Sequence, residues 1–227
     1  MKLFRVSLFL CLLLGAVAYG DDAPPAEATV PKTPATGELS GRVALPEPST
    51  GPLPSQPYEL VIEPDVVRTN PPLAVVYLEG DFPPAERPAV ARVIQRDLAF
   101  IPALLPVRTG TRVEFPNEDP TYHNVFSFSP ARRFDLGRYR SDEAEVPAQV
   151  FDRAGLVALR CDIHPHMRAA ILVLDTPHFT VTAADGTYRL SGLPPGRHVL
   201  KAWIDSRTTL SRVVEISAGR TLHADLP

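Results

Sequence analysis

The chain has 227 residues, 26 of them proline, and a formal net charge of −3. Proline at roughly twice its usual share excludes long helices, because each interior proline removes a hydrogen bond and clashes with the preceding turn. A hydrophobic fraction of 44% against 22% charged residues excludes disorder throughout, and 23 basic against 26 acidic side chains argue against a nucleic-acid partner.

The N-terminus reads as an address. Lys2 and Arg5 precede an apolar run from Val6 to Leu14, and Ala18-Tyr19-Gly20 places small residues at −3 and −1 of a cut before Asp21. This is the three-part pattern of a secretory signal peptide over residues 1–20. The run is too short to span a bilayer, so no integral membrane segment is expected after cleavage. The expected location is periplasmic or secreted. Cys11 leaves with the leader, which makes Cys161 the lone cysteine of the exported protein. A lone thiol in an oxidising compartment oxidises or cross-links unless something occupies it.

Residues 21–37 are rich in Pro, Ala and Thr and read as a flexible linker. Strands are expected at Leu39 to Leu45, Tyr58 to Ile62 and Leu73 to Leu78, from alternation and β-prone residues. Val90 to Ile101 has a helical period, but Pro102 and Pro106 and the β-branched content favour strands. Further strands are expected at Arg112 to Phe115, Asn124 to Phe128, Leu156 to Leu159 and Ala169 to Leu174, with a short helical turn at Asp142 to Glu145. Beyond Pro177, strands at Phe179 to Thr182, Thr187 to Leu190, His198 to Ile204, Arg212 to Ile216 and Thr221 to Leu226 are separated by Asp185-Gly186, Pro194-Pro195-Gly196 and Gly219. Short strands with a turn every 8–12 residues indicate an all-β sandwich or barrel.

Cys161-Asp162-Ile163-His164-Pro165-His166-Met167 puts a thiolate, two imidazoles and a thioether within seven residues, and His123 stands well upstream. Cys, two His and a Met form the donor set of a blue-copper site, with a weak axial Met. Zinc is the next metal, although structural zinc prefers more thiolates. Cys–His nucleophilic catalysis lacks an orienting residue and an oxyanion-hole motif. Both His164 and His166 are candidate ligands. His164 is preferred, because His166 and Met167 as adjacent ligands would strain the loop. His166 is then a solvent-facing neighbour.

These residues resemble a family. Val113-x-Phe115-x-Asn117-x-Asp119, His123-Asn124-Val125, Cys161-x-x-His164-Pro165-x-Met167 and the entry Phe100-x-Pro102, Val107, Gly110 resemble the plastocyanin/amicyanin-like cupredoxins. The resemblance implies a Greek-key β-sandwich over residues 81–175, with one type 1 copper ion held by His123, Cys161, His164 and Met167. It also implies that Asn124 ties the two ligand loops together near the thiolate. His166 departs from the apolar or aromatic residue of amicyanin-like loops. Phe134-Asp135-Leu136-Gly137-Arg138-Tyr139 looks more like the methylamine-utilisation-like cupredoxin-domain proteins.

The tail resembles the carboxypeptidase regulatory-like (transthyretin-like, Ig-like) β-sandwich at Asp185-Gly186-x-Tyr188 and Leu193-Pro194-Pro195-Gly196. Early strands at Gly41-Arg42-Val43 and Ala74 to Leu78 fit the opening of such a module. Residues 38–80 are therefore expected to pair with 176–227 around the inserted 81–175, and plain tandem domains are the rival arrangement.

The expected function is one-electron transfer with a redox partner protein, not catalysis. The rivals are an envelope protein that sequesters or delivers copper, and a β-sandwich scaffold with a vestigial metal site. Arg132, Arg133, Arg138 and Arg140 are read either as a docking patch for an acidic partner or as a solvated loop, and Asp142, Glu143 and Glu145 partly cancel their charge.

Overall fold

A computed structural model describes residues 35–48, 69–143 and 145–227 of the chain. The leader, most of the linker and the strand expected at Tyr58 to Ile62 lie outside the described residues. The described chain is all-β, and among its residues no helix is long and apolar enough to cross a membrane.

In chain order the strands are β1 (Gly37–Arg42), β2 (Val75–Glu79), β3 (Val90–Arg92), β4 (Ile94–Arg96), β5 (Ala99–Ile101), β6 (Leu104–Arg108), β7 (Thr111–Glu114), β8 (His123–Ser127) and β9 (Phe134–Tyr139). They continue as β10 (Ala148–Phe151), β11 (Gly155–Arg160), β12 (Arg168–Leu174), β13 (Phe179–Val181), β14 (Thr187–Leu193), β15 (Gly196–Trp203), β16 (Thr209–Ile216) and β17 (Thr221–His223). Asp142 to Glu145 is not a helix over its described residues. Its first residues lie in a turn in which the Glu143 N–H reaches Arg140 O at 3.3 Å.

Two groups of sheets form. β1 lies between β14 and β17, and β2 lies between β13 and β15, with β16 outside β15. The five-stranded sheet β6-β12-β11-β8-β9 belongs to the middle of the chain, together with β10-β7-β3 and the β4-β5 hairpin. Each group encloses its own core. Leu39, Val76, Leu78, Leu190, Leu200 and Ile216 fill one. Val113, Phe115, Phe151, Val157, Leu159 and Ile171 fill the other, which also contains Cys161 and Met167.

β12 joins the two groups. Ala169, Ile171 and Val173 face the core that holds Cys161, while Ala170, Leu172 and Leu174 pack with Val75, Leu104 and Trp203. A strand buried on both faces reads as an unbroken apolar run, as Ala169 to Leu174 does. The metal-ligand candidates follow from this arrangement: β11 and β12 are antiparallel neighbours whose last rung is Arg160 opposite Arg168, so Cys161 to Met167 is the loop that closes them.

Candidate metal centre

His123 opens β8, next to the β11–β12 loop in the same sheet. An ordinary strand alternates, but His123, Asn124 and Val125 are all buried. The β8–β9 register shifts between Asn124 and Phe126, and such a bulge re-aims side chains. On the loop, the Met167 N–H donates to His164 O at 2.9 Å, which turns the chain back between the two residues. Arg138 on β9 pairs with Asp162 at 2.8 Å and ties the strand beside β8 to the residue after Cys161.

The structure brings His123, Cys161 and His164 together. One donor atom from each lies within 4.8 Å of the others, a spacing that suits a single metal ion. Nδ1 of His123 and Nδ1 of His164 are 3.0 Å apart, and Cys161 Sγ is 3.8 Å from His164 Nδ1. His123 is 0% and Cys161 4% exposed, whereas His164 is half-buried and is the accessible member of the three. Burial pushes the His164 imidazole below its usual pKa, and the rings of His123 and His166 push it the same way. A neutral imidazole is the form that binds a metal.

Met167 is buried in the same core cluster as Cys161. His166 is exposed, with its ring centroid 6.0 Å from that of His164, and it is not part of the three-residue group. Replacing His166 with alanine is therefore expected to leave metal affinity nearly unchanged. His164→Ala should cost more than the ~10–100-fold typical of losing a ligand's hydrogen-bond partner. Equilibrium competition against a chelator measures both, and equal losses would contradict the assignment.

Asn124 does not make the tie that the resemblance implies. Its Nδ2 donates to Asp135 Oδ1 at 2.7 Å and to Gly137 O at 3.0 Å, both on β9, and its buried Oδ1 has no partner. The amide therefore anchors β8 to its neighbour strand across the bulge. The arginine cluster is largely paired: Arg132 with Gln149 and Asp152, Arg138 with Asp162, and Arg140 with Asp142. That pairing favours a solvated loop over a free basic patch.

Sequence reasoning assigned no role to Asp119, which the structure places against His123. Its Oδ2 lies 2.7 Å from His123 Nε2. Burial pushes this carboxyl up, but the N–H groups of Leu98 and Asp97 and the His123 ring outweigh it and hold the pKa below the usual carboxylate value. An ionised carboxylate only accepts, so His123 Nε2 donates, and in the neutral ring the lone pair is on Nδ1, the nitrogen that faces His164. Below this contact, Asn117 Nδ2 donates to Thr121 O at 2.9 Å and Tyr139 O at 3.0 Å. The Tyr139 hydroxyl donates to Phe115 O and receives Gln95 Nε2. The signal for Asp119 was present in the sequence as an acidic residue four positions before a candidate ligand histidine.

The residues fit a copper ion on chemical grounds. A buried cysteine sulfur and two imidazoles converge, with a thioether in the same core, and one imidazole already has its outer nitrogen engaged.

No protein-family model and no curated protein matches the chain. Solved structures are similar to part of it. A purple cupredoxin from Nitrosopumilus maritimus is 21% identical over 37% of this chain and 99% of its own, with a TM-score of 0.33. Amicyanin from Paracoccus versutus is 21% identical over 44% of this chain and 97% of its own, with a TM-score of 0.33. A copper-containing nitrite reductase from Thermus scotoductus SA-01 is 24% identical over 44% of this chain and 25% of its own, with a TM-score of 0.36. The structural neighbours of this chain are thus cupredoxins and a copper enzyme with which it shares less than half its length.

Proposed function

We propose that the protein is an exported one-electron carrier with a single type 1 copper ion. His123, Cys161 and His164 would hold the ion, and Met167 would offer a weak fourth donor. The observation that carries this reading is the convergence of one thiolate and two imidazoles from β8 and the β11–β12 loop. Copper, when bound, supplies a Cu(II)/Cu(I) couple.

The chain's own residues account for the rest. Thiolate and thioether donors suit Cu(I) and imidazoles suit Cu(II), so this set tolerates both states. β8, β11 and β12 hydrogen-bond in one sheet, and a donor set fixed by such a scaffold changes little between oxidation states. His123 and Cys161 are shut away from water, and the half-buried edge of His164 is where a redox partner protein can approach. The leader pattern and the lone remaining cysteine support a periplasmic or secreted location, where an occupied thiolate is protected from oxidation.

Protein-film voltammetry tests the carrier reading. A reversible one-electron wave at fast scan rates is expected, with Cu(I) retained against a chelator. Rapid surrender of Cu(I) to the chelator would instead indicate copper delivery, and a folded protein without a redox wave would indicate a scaffold.

A further inference from the structure

The hairpin between β4 and β5 turns on two residues, Asp97 and Leu98, with Arg96 paired to Ala99. Their φ angles are 53° and 56°, left-handed at both positions as in a type I′ turn. Such turns normally take Asn-Gly or Asp-Gly, because a Cβ in this region meets the following carbonyl. A leucine held there signals that something else fixes the turn.

What fixes it is the Asp119 carboxylate. The Asp97 N–H donates to Oδ1 at 2.8 Å and the Leu98 N–H donates to Oδ2 at 3.0 Å. The same Oδ2 accepts from His123 Nε2 at 2.7 Å. Asp119 is fixed from its other side as well, since its own N–H donates to Asn117 Oδ1 at 2.9 Å. Both carboxylate oxygens are occupied, and three donors surround an 8% exposed anion. An amide matches it poorly, since in either orientation its NH2 would face the N–H of Asp97 or of Leu98.

We infer that the Asp97–Leu98 turn and Asp119 form an outer clamp on the metal centre: the turn holds the carboxylate, and the carboxylate sets the tautomer and ring orientation of His123 before a metal arrives. Asp119 is a positioning residue in this scheme, touching the ligand and not the ion. An anionic acceptor on Nε2 also makes Nδ1 a stronger donor, which favours the more charged Cu(II) over Cu(I). This last consequence rests on the copper reading, whereas the tautomer does not.

The test is ¹⁵N NMR of the His123 side chain in the full-length, metal-free protein, at a pH where the imidazoles are neutral. The wild type should show one tautomer, with the proton on Nε2. In Asp119→Asn the ratio of Nε2–H to Nδ1–H should fall at least tenfold, because a charge-assisted bond is replaced by a neutral and poorly matched one. Copper affinity of that variant should fall about 10–100-fold. Leu98→Gly keeps the N–H and drops the Cβ, and should raise the thermal midpoint by about 2–4 °C.

A mixed tautomer in the wild type overturns the clamp even if Asp119→Asn does not fold, and so does an unchanged ratio in a folded Asp119→Asn. A locked tautomer in a protein that takes up no copper upholds the clamp and removes the copper reading. A mixed tautomer in a protein that binds copper does the reverse.

Discussion

Cys161→Ser is expected to abolish the intense visible absorption predicted for the copper-loaded protein. The colour of such a centre comes from charge transfer between thiolate sulfur and Cu(II), and Cys161 is the sole cysteine among the described residues. The sulfur lies in the same buried core as Val113, Phe115 and Met167, at 4% exposure, so serine introduces a small hydroxyl without opening the sandwich. The variant should fold and retain weak Cu(II) binding through His123 and His164 while lacking the band. Absorption spectra of wild type and variant, recorded at equal copper content, check this. An undiminished band in the serine variant would mean that another ligand generates it.

Gly41→Val should cost about 3 kcal/mol or more of stability, through overpacking and broken backbone hydrogen bonds. Gly41 sits on β1 between β14 and β17, and a Cβ there would lie 2.2 Å from the carbonyl oxygen of Ala224 and 3.1 Å from the Tyr188 ring. The obstructing atom is backbone, held by the Tyr188 hydroxyl and by the Ala224 N–H bond to Ser40 O at 2.8 Å. It cannot step aside without loosening β17 from β1. Trp203, the chain's single tryptophan and a buried residue of β15, reports unfolding by its fluorescence. The urea midpoint should fall by about 1–3 M for a typical small-protein slope. Gly219→Ala is the control. Its φ is +70° with open space around it, so only the backbone cost of about 1–2 kcal/mol applies. Equal midpoints for Gly41→Val and the wild type would contradict the packing described for β1.

The candidate donors were legible because their chemistry is local. Cys161, His164 and Met167 lie on one loop, and residue type alone marks them as donors. His123 was legible as the upstream histidine of a strand-like run, and it opens β8. The outer contacts were not. Asp119 meets Asp97 and Leu98 across more than twenty residues, a pairing that no local pattern announces. Asn124 bonds to β9 because of a bulge that the alternation of His123 to Ser127 does not reveal.

Among the strands, β6, β9 and β10 were not legible in the sequence. Each lies at the edge of its sheet. β6 contains Pro106, which an edge strand tolerates. β9 contains Gly137 at φ +70° and alternating charge, and β10 is only four residues long. Edge strands carry weak hydrophobic patterning, which also protects them from pairing with other chains. Central β11 and β12 were visible because burial demands apolar residues there.

Titration of Cu(II) into the metal-free wild type, followed in the visible region, bears most directly on the role given to His123, Cys161 and His164. An intense thiolate-to-copper band that grows linearly and stops at one equivalent is the predicted result. A folded protein that stays colourless, or one whose band continues to grow past one equivalent, would contradict it.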